Sequence, residues 1–351
     1  MTLFKTILAA TDFSAPADNA VKRAALLAQL HSARLGLVHV VNPTRFGRVR
    51  EWLAPSIDLG LQAAQSRERL RLLAAQLQGL YGVSADFEVR SGNTFEELQR
   101  AAKRADLLVV GQRRRHPLAE LVLGRTAQRL VDACRRPLLV VKQAADGAYQ
   151  RILVPTDFSP ASDAAAVVAA ALAPEIDLQI FHAVDTSGET LMREADVCES
   201  VIRDCRAREE AGLIARMRRS MARLGLDSRR MSFALGRGSP VAATLRQAQD
   251  LGADLLVATK QRRARVGTTV LGSINSLLLR ARCDMLIVPG RVRDPRHAPA
   301  LALPVARANL ANPLPSVDAA TTLRGPSWTR PQRAAAMFQA PGHGAPRFVG
   351  G

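Results

Sequence analysis

Thr11-Asp12-Phe13-Ser14 and Thr156-Asp157-Phe158-Ser159 place the same four residue types 145 residues apart. Each set follows a short apolar run. A hydroxyl beside a carboxylate can hold a polar ligand, and the aspartate can equally cap a helix that follows. Two further features recur with these residues. His39 in "LVHVV" answers His182 in "IFHAV", and "VLGRT" with Gly124 answers "VLGS" with Gly272. No Ser/His/Asp or Cys/His set is visible, nor two carboxylates placed for acid–base work. The two histidines, flanked by apolar neighbours, read as packing residues.

The elements that must carry these residues alternate strand and helix. In the first copy "FKTILAA", "ARLGLVHVV", "VSADFEVR", "DLLVVG" and "RPLLVVK" are apolar runs of the kind buried in a parallel sheet. Between them, 14–32, about 56–80, 94–103 and the stretch opening at "LGRTAQRLVDAC" have helical spacing. The second copy predicts strands near 151–156, 177–184, 229–235, 254–259 and 284–289, and one long helix over about 190–224. "ADLLVVGQRRR" recurs as "ADLLVATKQRR", so the duplication runs through the whole unit. The expected fold is α/β, with two tandem open parallel five-stranded sheets of order 3-2-1-4-5. Their boundaries are 1–143 and 144–290, followed by a disordered Pro/Ala/Arg-rich tail over 291–351. In such sheets ligands bind beyond the carboxyl ends of the strands, where strand order reverses. All three repeated features fall on that edge.

Composition narrows the function. The chain has 351 residues, 48% of them hydrophobic, enough for two ordinary cores. No apolar run reaches the roughly 18 residues of a membrane span. The first apolar run looks like part of a signal peptide, but its recurrence in mid-chain argues that both copies are structure. Four cysteines form no CxxC pair and six histidines show no ligand spacing, so no metal is expected and a reduced, cytoplasmic setting is. The formal charge of +18 favours anionic partners without selecting one, and only 4% of residues are aromatic. Sequence-specific nucleic-acid recognition is not expected.

With these motifs assembled, both units resemble the universal stress protein (UspA-like) domain, and the chain is similar to the tandem universal stress proteins of bacteria. The resemblance covers roughly 1–290 and rests on "TDFS", "HVV" and "VLGS" before "RCDMLIVP". It implies an adenine-nucleotide α-hydrolase-like fold whose two domains pair with each other, through their last strands, with a homodimer as a further option. It also implies a regulatory or protective role in the stress response, with ATP as the cofactor of one branch. That branch carries a glycine, two residues, a second glycine, nine residues, then glycine and Ser or Thr. Such glycines let backbone N–H groups form a nest for phosphate, and the last pair opens a helix whose positive end faces the anion.

Carried over by position, the first copy supplies Thr11, Asp12, Val40, Gly111, Gly124 and the displaced Thr126. Arg114 replaces the second glycine and Arg125 the hydroxyl residue. The second copy supplies Thr156, Asp157, Ala183, Gly272 and Ser273, with Thr259 and Arg262 in place of the first two glycines. Neither motif is complete. Where a left-handed backbone is needed, a non-glycine residue costs about 1–2 kcal/mol. A guanidinium can nevertheless grip phosphate itself. The loops "QRRRH" and "KQRRAR" therefore admit ATP, another phosphorylated ligand, or none. Ser273 could also accept phosphate, as in some family members. Two other readings stay open: a weak ATPase or autophosphorylating enzyme, and a non-specific nucleic-acid binder acting through the basic surface and tail.

Overall fold

The computed structural model describes residues 3–42, 59–112, 125–133, 135–226, 228–260 and 270–290. Arg114, Gly124, Arg262 and the tail from 291 lie outside the described residues. The first half contains β1 (Thr6–Ala10), α1 (Ala15–His31), β2 (Arg34–Val41), α2 (Leu59–Tyr81), β3 (Ala85–Ser91), α3 (Thr94–Ala102), β4 (Leu107–Gly111), α4 (Arg125–Ala133) and β5 (Leu138–Val141). The second contains β6 (Ile152–Pro155), α5 (Pro160–Leu172), β7 (Leu178–Val184), α6 (Ser187–Glu194), α7 (Glu199–Arg223), β8 (Met231–Arg237), α8 (Pro240–Leu251), β9 (Leu255–Lys260), α9 (Val270–Arg280) and β10 (Asp284–Pro289). Among the described residues no helix is long and apolar enough to cross a membrane.

The strands form one sheet of ten, in the order β3-β2-β1-β4-β5-β10-β9-β6-β7-β8. Within each half the order is 3-2-1-4-5 and the pairing parallel, as the alternating pattern predicts. The two five-stranded sheets are joined edge to edge through their last strands, as expected. β5 and β10 run antiparallel, with Met285 opposite Val140 and Ile287 opposite Leu138. Both strands are buried along their whole length. An apolar last strand left open would be an adhesive edge, and here each copy closes the other.

Strand alternation divides the core between two faces. Ile7 and Ala9 point to one face with Leu37, Val109, Leu70 and Met217, while Leu8 points to the other with Val38, Leu108, Leu130 and Leu278. Each face continues across the joint. Burying each such leucine is worth roughly 1.5–3 kcal/mol, so the two faces together hold both halves to one sheet. The single long helix expected over 190–224 is two helices. Asp196, with φ +53°, breaks it between α6 and α7.

The joint is reinforced by polar contacts that the duplication does not repeat. Asp284, fully buried, accepts hydrogen bonds from the Lys142 and Gln143 N–H groups at 2.8 and 3.1 Å and from the Tyr149 hydroxyl at 2.8 Å. Arg23 of α1 lies 3.6 Å from its carboxylate and 4.0 Å over the Tyr149 ring. Asp284 thus ties the inter-half linker and a helix of the first half to the second half. Pro137 holds the equivalent place in the first half.

Candidate site at the carboxyl edge of the sheet

β1 lies between β2 and β4, and β6 between β7 and β9. Successive connections leave β1 and β6 toward opposite sides, which opens a crevice at their carboxyl ends. The structure brings Thr11, Asp12, Val40 and Gly111 to this edge in the first half, and Thr156, Asp157, Ala183 and Thr259 in the second.

The turn after the first strand has the same backbone hydrogen bonds in both copies. The Thr11 and Thr156 side chains, both buried, accept from the Phe13 and Phe158 N–H groups at 3.0 and 3.1 Å. Asp12 Oδ1 accepts from the Ser14 N–H at 3.2 Å and Asp157 Oδ1 from the Ser159 N–H at 3.0 Å. The Ser14 hydroxyl also donates to Asp12. These bonds hold Phe13 and Phe158 at φ +58° and +61°, a left-handed conformation unfavourable for a bulky residue. The helix caps are Ser14 and Ser159, so the reading of Asp12 and Asp157 as caps is corrected. Each aspartate instead folds back onto a backbone N–H two residues on.

Each strained phenylalanine sits between a histidine and an arginine. The Phe13 and His39 rings are 4.7 Å apart, as are those of Phe158 and His182. Arg69 of α2 covers Phe13 at 4.0 Å and Arg216 of α7 covers Phe158 at 4.2 Å. His39 Nδ1 is 2.8 Å from the Thr11 carbonyl and His182 Nδ1 2.7 Å from the Thr156 carbonyl. A carbonyl only accepts, so Nδ1 carries the proton in both rings. Burial is the main cause that holds the His39 pKa below the ordinary histidine value. The histidines therefore serve the turn, in keeping with the packing reading. Neither the ring sandwich nor its arginine was anticipated. The signal was present: Arg69 and Arg216 recur at nearly the repeat interval.

The remaining candidates separate. Val40 and Ala183, half-buried at the ends of β2 and β7, pack against the second face of the core. Gly111 ends β4 where a Cβ would stand 2.2 Å from the Pro16 carbonyl oxygen. Its lack of a side chain lets α1 approach the sheet, a packing duty that holds with or without a ligand. Thr126 is half-buried in the first turn of α4. Gly272 and Ser273 fall within the first turn of α9 as described, which begins at Val270.

The order of strands, the duplicated turn and the helix starts at one edge form a recognisable whole. The sequence model of the Universal stress protein family matches residues 3–142 and again 148–289. The chain belongs to the universal stress protein family. A universal stress protein of Mycolicibacterium smegmatis is 33% identical over 169 residues, which span 45% of this chain and 56% of that one. Another from Thermus aquaticus is 34% identical over 144 residues, 40% of this chain and the whole of its own length. Among solved structures, a universal stress protein from Archaeoglobus fulgidus superposes with a TM-score of 0.61 at 17% identity, covering 82% of this chain and 99% of that one. That likeness spans both halves and speaks to the fold. Tandem universal stress domains joined in one sheet are thus the architecture of this chain.

Proposed function

We propose that this tandem universal stress protein acts in the stress response as a regulatory or protective binder, and that its carboxyl edge takes a phosphorylated ligand, ATP included. The observation that carries the reading is the strained turn at Phe13 and Phe158, built twice with the same bonds. A bulky residue held left-handed costs on the order of 1–3 kcal/mol and is kept where surroundings over-determine it, often at ligand edges. The second half is the favoured site, because Gly272–Ser273 is intact there. Arg262 would then supply by side-chain charge what a missing backbone nest does not.

The test begins with mass spectrometry of small molecules released from freshly purified, denatured protein, followed by calorimetric titration with ATP. Stoichiometric nucleotide, lost in Gly272→Glu, is the expected result. Empty protein that gives no heat with ATP would overturn nucleotide binding and direct the search to protein partners.

A further inference from the structure

Beside the turn at Phe158, the second half holds a cleft of about 290 Å³ lined by Phe158, Arg216, Arg219, Ser220 and Arg223. It lies where α7 meets the start of α5. Asp163 of α5 accepts from the Ser220 hydroxyl at 2.8 Å and from Arg223 at 3.0 Å, and Arg223 also reaches the Ser220 oxygen at 3.3 Å. Among the described residues Arg219 hydrogen-bonds only within its own helix, to the Ala215 carbonyl, 3.4 Å away. Arg216 lies on the Phe158 ring. Of the three guanidinium groups lining the cleft, only Arg223 pairs with Asp163, and among the described residues neither Arg216 nor Arg219 forms an ion pair.

The first half shows that the fold does not require this charge. Arg69 covers Phe13 as Arg216 covers Phe158, which fixes the correspondence between α2 and α7. At that offset Leu72, Leu73 and Gln76 stand where Arg219, Ser220 and Arg223 do. One is apolar and exposed, another packs on the core. The same helix in the same place has become a basic, hydroxyl-bearing wall in one copy only.

We propose that this cleft binds a small phosphorylated ligand, its phosphate held by Arg219 and Arg223. A guanidinium offers paired N–H groups matched to phosphate oxygens. The volume lies just below the roughly 300–1,000 Å³ of ligand clefts, which suits a small ligand. Asp163 keeps Arg223 and Ser220 in place before the anion arrives. The cleft is distinct from the carboxyl-edge site and shares with it only the turn at Phe158.

Calorimetric titration of the full chain with inorganic pyrophosphate tests this, using Arg219→Gln, Arg218→Gln and Gly272→Glu. Arg218 is a matched control: it has the same charge on the same helix but stands 5.9 Å over the Phe233 ring, outside the cleft. The expected result is saturable binding weakened at least tenfold by Arg219→Gln and less than twofold by Arg218→Gln or Gly272→Glu. Equal losses in Arg219→Gln and Arg218→Gln would mean unfocused charge and overturn the proposal, as would no saturable pyrophosphate binding together with no Arg219-dependent capture by phosphatidic acid. Loss in Gly272→Glu alone would assign the anion to the carboxyl edge and also overturn it. Co-sedimentation with phosphatidylcholine vesicles, with and without phosphatidic acid, separates the sources. Arg219-dependent capture only by phosphatidic acid makes the ligand a lipid headgroup, and binding of pyrophosphate alone makes it a free molecule.

Discussion

At the residue scale, the carboxyl edge makes two kinds of demand on single side chains. Gly111 must stay bare because a backbone oxygen occupies the place of its Cβ. Gly111→Ala is expected to lower stability by about 1–3 kcal/mol, the usual range for overpacking, read as a lower urea midpoint with unchanged slope. His39 makes a pH-dependent demand. Its folded pKa is depressed, so the folded state binds fewer protons than the unfolded state in the window just below the free-histidine value. Its contribution is present above about pH 6.5 and lost as pH falls through that value toward the folded pKa. Unfolding free energy measured between pH 8 and pH 5 should therefore decline, and His39→Gln should flatten that part of the curve. An unchanged slope in the variant would show that other groups set it.

At the element scale, the two copies of one turn differ in how they start their helices. Ser159 accepts from the Ser162 N–H at 3.2 Å, whereas Ser14 makes no such side-chain cap. Ser159→Ala should cost about 1 kcal/mol and Ser14→Ala only a few tenths, which paired denaturation curves can resolve. Much of this level was legible beforehand. The ten apolar runs gave strands close to their observed places, since burial on both faces leaves an uninterrupted hydrophobic signature. The long helix over 190–224 was misread because nothing in "EADVCES" breaks the helical spacing; only the left-handed Asp196 does. The ring sandwich was hidden for a different reason. His39, Phe13 and Arg69 come from a strand, a turn and a distant helix, and their meeting depends on how those elements pack. The arginines of α7 likewise read as a solvated face until Ser220 and Arg223 are seen turned onto Asp163.

At the scale of the whole molecule, the β5–β10 pairing and Asp284 make one body of two repeats. Asp284→Ala would leave the Tyr149 hydroxyl, two linker N–H groups and Arg23 without their common acceptor. Removing one member of a buried charged set typically costs about 3–5 kcal/mol. Hydrogen exchange should then show amides of β5 and β10 opening before those of β1 and β6, while the wild type protects both strand pairs alike. Asp284→Asn, which retains an acceptor, should lose less. Pairing by that last strand also settles something about dilution. Two separate chains joined by the same edge would part as their concentration fell. Joined by a linker of about ten residues, the partners see each other at a local concentration on the order of millimolar, whatever the cell contains. The association is then no longer adjustable, and neither copy needs to fit an identical twin. Each is free to drift, and the two already differ where Leu72 in one copy answers Arg219 in the other.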